Sequence, residues 1–224
     1  MKKLMVSGAL ALAFSTSAVI AEESGAFVGV DLGMSNAVMT QDAGEFGFDF
    51  NNKAASVGNF RYGLLGGYKW FFTEKAGLRA YLQVNNGANQ IPASVDVHTT
   101  INTLNVMANV DALYNLYSTQ ESSIGLFAGL SFGYAIHSGK VVDDLKKTGL
   151  KDPSGFDMGI NFGLRTIIAK YHGIEFFNRF GIIGASATST INTGNVVPSI
   201  PSTVDVKMTT LQPYSFGVRY TYNF

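Results

Sequence analysis

Ten charged side chains, Asp31, Arg61, Lys69, Arg79, Asp111, Asp157, Arg165, Glu175, Arg179 and Arg219, stand at every second position of segments whose other positions are apolar. Side chains of a strand alternate between two faces, so all ten belong to one face, where glycines interleave them. Charges of both signs on one enclosed face pair with each other, because a buried charge needs a partner. The same residues offer little to catalysis. His98, His137 and His172 stand in a long connector, at a segment end and in a short connector, too far apart to share a metal. His137-Ser138 sets a base beside a hydroxyl nucleophile, but no carboxylate converges on the pair. With no cysteine there is no thiol nucleophile, disulfide or Cys-ligated metal. No glycine-rich phosphate loop or paired acid appears. The expectation is therefore a non-enzyme with no catalytic residues, no metal and no cofactor.

Eight alternating segments must position these charges: residues 26–36, 59–71, 77–85, 103–117, 123–136, 155–168, 174–185 and 214–224. In the first, Val28, Val30, Leu32 and Met34 oppose Gly29, Asp31, Gly33 and Ser35. Asn178 interrupts the apolar face of the seventh and leaves its register open. Short connectors (72–76, 118–122, 169–173) follow the second, fourth and sixth segments. Long polar ones, around residues 42–45, 86–100, 138–154 and 187–207, follow the others. Pro92, Pro153, Pro198 and Pro201 fall in the long set, where no ladder hydrogen bond is lost. If each short connector closes a directly opposed hairpin, Arg165 faces Glu175, Lys69 faces Arg79 and Asp111 faces Gly129. All three pairings put inner face against inner face, and a slip of one residue would invert them. Trp70, Phe71 and Phe72, beside a short turn, read as an aromatic girdle.

Two architectures carry such alternation. A soluble up-and-down barrel of the lipocalin type turns its apolar face inward. A membrane barrel turns it outward to lipid and keeps the polar face inside. Ten mixed charges interleaved with glycine suit a narrow interior, and the apolar face is broad and aromatic. The predicted fold is thus all-β: an eight-stranded antiparallel up-and-down transmembrane β-barrel over residues 22–224, with short periplasmic turns and long extracellular loops. Most segments reach the about 9–11 residues a tilted strand needs to cross a bilayer. Charged residues make up 14% of the chain, well below the roughly 25% of a globular domain. Residues 1–21 read as a signal peptide. Met1-Lys2-Lys3 is followed by an apolar run to Phe14 and by small residues from Ser17, with cleavage after Ala21. Losing Lys2 and Lys3 takes the basic count from 16 to 14 against 16 acidic residues, a net −2. No electrostatic footprint for nucleic acid remains.

The last segment is the most aromatic. Phe216, Val218, Tyr220, Tyr222 and Phe224 fall on every second residue up to the C-terminus, with Ser215, Gly217, Arg219, Thr221 and Asn223 between them. Termini of soluble domains usually fray, whereas a strand closing a barrel in lipid must pair every backbone group. With the signal peptide and the paired-strand layout, the ending Tyr214-Ser-Phe-Gly-Val-Arg-Tyr-Thr-Tyr-Asn-Phe224 resembles the small members of the Helicobacter outer-membrane protein family. More loosely, it resembles OmpA-type eight-stranded barrels. The resemblance implies residence in the outer membrane of a Gram-negative bacterium. It also implies that the five alternate residues ending in Phe224 form the signal read by the outer-membrane assembly machinery. Some eight-stranded outer-membrane lipid A enzymes use a rim His and Ser, but His137-Ser138 lacks their His-x-Ser spacing. The large N-terminal adhesin domain of bigger family members is not seen here.

The expected role is structural or one of surface interaction, through long loops that meet a host or surface ligand. The alternative is a small porin, and a third reading is a lipid-modifying enzyme. The expected partners are outer-membrane lipid and the assembly machinery, without nucleic acid, and the expected state is a monomer.

Overall fold

The computed structural model describes residues 22–42, 54–55, 59–94, 97–192 and 202–224. The predicted signal peptide, Pro198 and Pro201 lie outside them. In chain order the elements are β1 (Gly25–Ser35), β2 (Val38–Asp42), β3 (Ala54–Ala55), β4 (Asn59–Phe71), β5 (Ala76–Ser94), β6 (Val97–Ser118), β7 (Ser123–Ser138), α1 (Lys140–Lys147), β8 (Gly155–Ile168), β9 (His172–Ile183), β10 (Ala185–Asn192), β11 (Thr203–Leu211) and β12 (Tyr214–Asn223). Eight of these strands close an antiparallel barrel in the order β1-β12-β9-β8-β7-β6-β5-β4. The predicted segments 59–71 and 155–168 coincide with β4 and β8.

Inward and outward faces follow the alternation. Val28, Val30, Leu32, Leu64, Leu82, Val110, Phe176 and Val218 all point outward, and an unbroken apolar outer wall is what lipid requires. The register defines the barrel's stagger. From Asn105 on β6 the pairing runs to Asn85, Gly63, Asp31, Arg219, Glu175, Arg165 and Gly125. It returns to β6 at Asn115, ten residues from its start. With the usual strand rise and spacing, this stagger tilts the strands by about 41° and gives a backbone radius of about 8 Å. A cylinder that narrow is filled by its own side chains. The three predicted hairpin pairings occur as expected: Arg165 with Glu175, Lys69 with Arg79 and Asp111 with Gly129. At Asn178 the seventh segment stays in register, and its ladder with β8 shifts only near the end, between Gly181 and Ile183. Asn178 faces outward, and its carboxamide accepts a 2.6 Å hydrogen bond from the Tyr214 hydroxyl.

Three expectations need correction. Residues 86–100, read as a loop, mostly continue β5 and β6, so Pro92 lies in a strand, paired with His98 beside a β-bulge. Above the apolar belt an outward residue need not be apolar. Asn86, Ala88 and Asn102 therefore carry no hydrophobic alternation although the ladder goes on. The stretch 187–207 likewise contains β10 and β11, which form a second sheet in the order β10-β11-β2-β3. Finally, Phe71 is no girdle residue. It points into the barrel and packs with Leu113, Phe127 and Phe177.

The second sheet and α1 build a small second core over the long-loop end. Met39, Ile101, Val142, Val206 and Met208 are buried together there, with Val141, Leu145 and Leu150 against them. Helix α1 leaves β7 through Gly139, whose φ of 103° suits a residue without a Cβ.

Candidate functional site

The candidate site is the charged lumen. All ten predicted residues, Asp31, Arg61, Lys69, Arg79, Asp111, Asp157, Arg165, Glu175, Arg179 and Arg219, are buried inside the barrel. Midway along it, Glu175 joins two guanidiniums. Arg79 Nη1 contacts one carboxylate oxygen, and Arg219 Nη1 donates to the other at 3.1 Å. Arg79 also donates from Nε to Asp111 at 2.9 Å. Toward the long-loop end Asp31 accepts from Gln83 at 2.6 Å and from Arg61 at 3.4 Å. Arg179 pairs with Asp157 and donates to the Ser131 hydroxyl at 2.8 Å. Gly159 makes room for this pair, since a Cβ there would lie 2.8 Å from the Arg179 guanidinium carbon.

The cross-strand neighbours Arg165 and Glu175 share no ion pair. Their side chains turn to other partners, Glu175 to Arg79 across the lumen and to Arg219, its register neighbour on β12. Arg165 pairs with Glu22, a residue that sequence reasoning missed. Glu22 also accepts from Lys69 at 2.8 Å, Ser123 at 3.0 Å and Asn115 at 3.4 Å. Burial opposes ionisation of Glu22, but Arg165 and Lys69 outweigh it and hold the carboxyl below its ordinary pKa. Six cations thus face five carboxylates among the described lumen residues, close to the balance that a low-dielectric interior requires.

Aromatic rings complete the filling, and of these alternation had placed only Tyr81, beside Arg79 and Gln83, on the inner face. The Arg79 guanidinium lies 4.5 Å from the Phe127 ring centroid. Arg219 lies 5.2 Å from both Tyr81 and Phe177, and Arg165 lies 5.6 Å from Phe71. A guanidinium over a ring face gains electrostatic attraction where water cannot solvate it. Strand parity was the available signal: Phe71, Phe127 and Phe177 share the phase of Lys69, Gly125 and Glu175.

The remaining candidates do not come together. His137 is buried, bonded through Nδ1 to the Thr103 hydroxyl at 3.0 Å, while Ser138 points outward. Adjacent strand residues face opposite ways, so the pair is no dyad. His172 lies on the outer surface against the Tyr220 hydroxyl at 2.8 Å, and the side chain of His98 lies outside the described set. Among the described residues no group of three metal-ligating side chains occurs. Of the C-terminal alternate residues, Phe216, Val218, Tyr220, Tyr222 and Phe224 all face outward. Tyr222 and Phe224 meet edge to face at 5.2 Å, and Tyr171 stacks on Tyr222. A girdle therefore exists at the short-turn end, built largely from β12.

Solved outer-membrane structures resemble this chain to different degrees. The outer membrane protein OprG from Pseudomonas aeruginosa aligns with a TM-score of 0.54 at 13% identity, covering 91% of this chain and 97% of its own. Neisserial surface protein A aligns at 17% identity with a TM-score of 0.42, covering 88% and 98%. The attachment invasion locus protein Ail of Yersinia pestis aligns at 12% identity with a TM-score of 0.32, covering 88% and 99%. At such identities the likeness to OprG speaks for the fold alone. No curated protein matches by sequence. The profile of the Helicobacter outer membrane protein family matches residues 63–224, most of β4 and the six barrel strands after it. A lipid-facing apolar wall around a paired, charged lumen is what residence in an outer membrane demands, and the chain belongs to the Helicobacter outer membrane protein family.

Proposed function

We propose that this protein is a non-conducting, non-catalytic outer-membrane barrel that presents an ordered extracellular layer for contact with a host or surface ligand. The observation that carries the reading is the filled lumen. Arg79, Asp111, Glu175 and Arg219 meet across its middle between aromatic rings, and each is buried. A conducting pore of this width would need that network dismantled. The extracellular end, in contrast, has its own apolar core, helix and sheet. Such an ordered layer is more than eight strands need for closure. The reading takes residues 1–21 as a removed signal peptide, Phe216 to Phe224 as the assembly signal, and a monomer in outer-membrane lipid as the working form.

A paired-strain experiment tests it. One strain carries the intact protein, and the other carries a variant in which α1 is replaced by a Gly-Ser linker and the β10–β11 hairpin is shortened. Both barrels must show the same heat-modifiable gel shift. The reading expects weaker adsorption of the variant to a panel of host glycans and matrix proteins. Equal adsorption with altered solute uptake would favour the porin. Altered lipid A in cells lacking the protein would favour an enzyme.

A further inference from the structure

Glu22 differs from every other lumen charge among the described residues, because no barrel strand carries it. It precedes β1, yet it is only 4% exposed, while Glu23 and Ser24 beside it are exposed. Its carboxylate reaches Lys69 on β4, Asn115 on β6, Ser123 on β7 and Arg165 on β8. In the closed order β4 and β8 are four strands apart either way round, so Lys69 and Arg165 stand on opposite sides of the mouth. Both cations depend on this one carboxylate for charge, as neither forms another ion pair among the described residues. The segment has one further tie: the Phe71 backbone N–H donates to the Ser24 hydroxyl at 2.8 Å.

We propose that residues 22–24 form a latch that swings into the short-turn mouth and is held by the Glu22 carboxylate, cross-tying four strands of the wall. Its seat exists only after closure, because ring closure is what sets β4 and β8 face to face. The latch therefore docks last, onto a barrel already shaped. A strand held by a ladder has many bonds along its backbone, whereas this segment hangs on a cluster of side chains around one charge. Removing that charge should free the segment while the barrel remains closed. If the signal peptide is cleaved after Ala21, the latching residue is also the first residue of the mature chain.

The absence of cysteine allows a clean test. A nitroxide on Glu23→Cys, in protein purified from the outer membrane into detergent micelles, reads the segment's motion by electron paramagnetic resonance. Intact mass gives the N-terminal residue separately, so a wrong cleavage site cannot be mistaken for a failed latch. A broad, slow spectrum is expected with Glu22 present. Glu22→Gln should shorten the label's correlation time at least threefold, with the heat-modifiable gel shift retained. Glu74→Gln, an exposed acid on the adjacent turn, should change nothing. If Glu22→Gln does not fold, Lys69→Met takes its place and should give a smaller release. Folded Glu22→Gln, or its substitute Lys69→Met, with an unchanged spectrum would overturn the latch. Release by Glu74→Gln as large as by Glu22→Gln would overturn its assignment to Glu22.

Discussion

Replacing Glu175 by Gln removes one negative charge from the centre of the lumen without changing its shape. Glu175 neutralises both Arg79 and Arg219, whereas Arg79 also has Asp111 at 2.9 Å. The substitution therefore leaves Arg219 with no ion-pair partner, only neutral groups: the introduced amide, the Tyr81 hydroxyl at 3.4 Å and two ring faces. Orphaning one member of a buried pair costs about 3–5 kcal/mol. On a urea slope of about 2 kcal/mol per M, a loss of about 4 kcal/mol lowers the midpoint by about 2 M. The assay is reversible urea unfolding in lipid vesicles, followed by tryptophan emission and gel mobility. Asp144→Ala, which removes an exposed i,i+3 pair with Lys147 on α1, is the control and should leave the midpoint in place. The double variant Glu175→Gln with Arg219→Met restores the balance, since Arg79 and Asp111 remain as a pair. It should be milder than the sum of the two singles, a coupling that a double-mutant cycle isolates. A Glu175→Gln midpoint equal to that of Asp144→Ala, or strict additivity in the cycle, would refute the account of the lumen as a charge-paired core.

Other outcomes follow from the same structure. Leu82, midway along the lipid-facing side of β5, should cost about 2–4 kcal/mol when replaced by Arg, read as the shift in the same urea transition. Deleting Phe224 should lower the amount of barrel in the outer membrane without blocking export, as measured by fractionation; undiminished surface levels would count against its role as an assembly signal. Acid should act through Glu22. Its folded pKa is depressed, so its contribution is present above the unfolded value of about 4.3 and is lost as pH falls through the lower folded value. Wild-type stability should therefore fall more steeply than that of Glu22→Gln below about pH 4.3, and parallel curves would argue against the buried ion pairs.

Much of this was legible in the sequence because lipid imposes a strict period of two. Val28 to Met34 against Gly29 to Ser35 sets the faces of β1, and the same logic carried the inner charges and the hairpin registers. The signal ended where the lipid ended. Above the belt, the Ser- and Thr-rich β10 and the upper halves of β5 and β6 pair as strands without apolar alternation, so they read as loops. Partner choice was hidden as well. Register sets Glu175 beside both Arg165 and Arg219, yet only Arg219 pairs with it, and proximity across the narrow lumen joined Arg165 to Glu22 and Glu175 to Arg79. Glu22 sits in no periodic segment, and nothing in its local sequence marks it as internal. Inner aromatics such as Phe127 escaped notice because an apolar residue on the polar face breaks the pattern used to find that face.

Single-channel recording of the purified protein in planar lipid bilayers tests the central claim most directly. A lumen closed by the Arg79, Asp111, Glu175 and Arg219 network and its rings predicts no steady ion current above that of the bare membrane, in preparations whose gel shift shows a folded barrel. Discrete, ohmic conductance steps of one size, recurring in independent preparations and altered by Glu175→Gln, would contradict it.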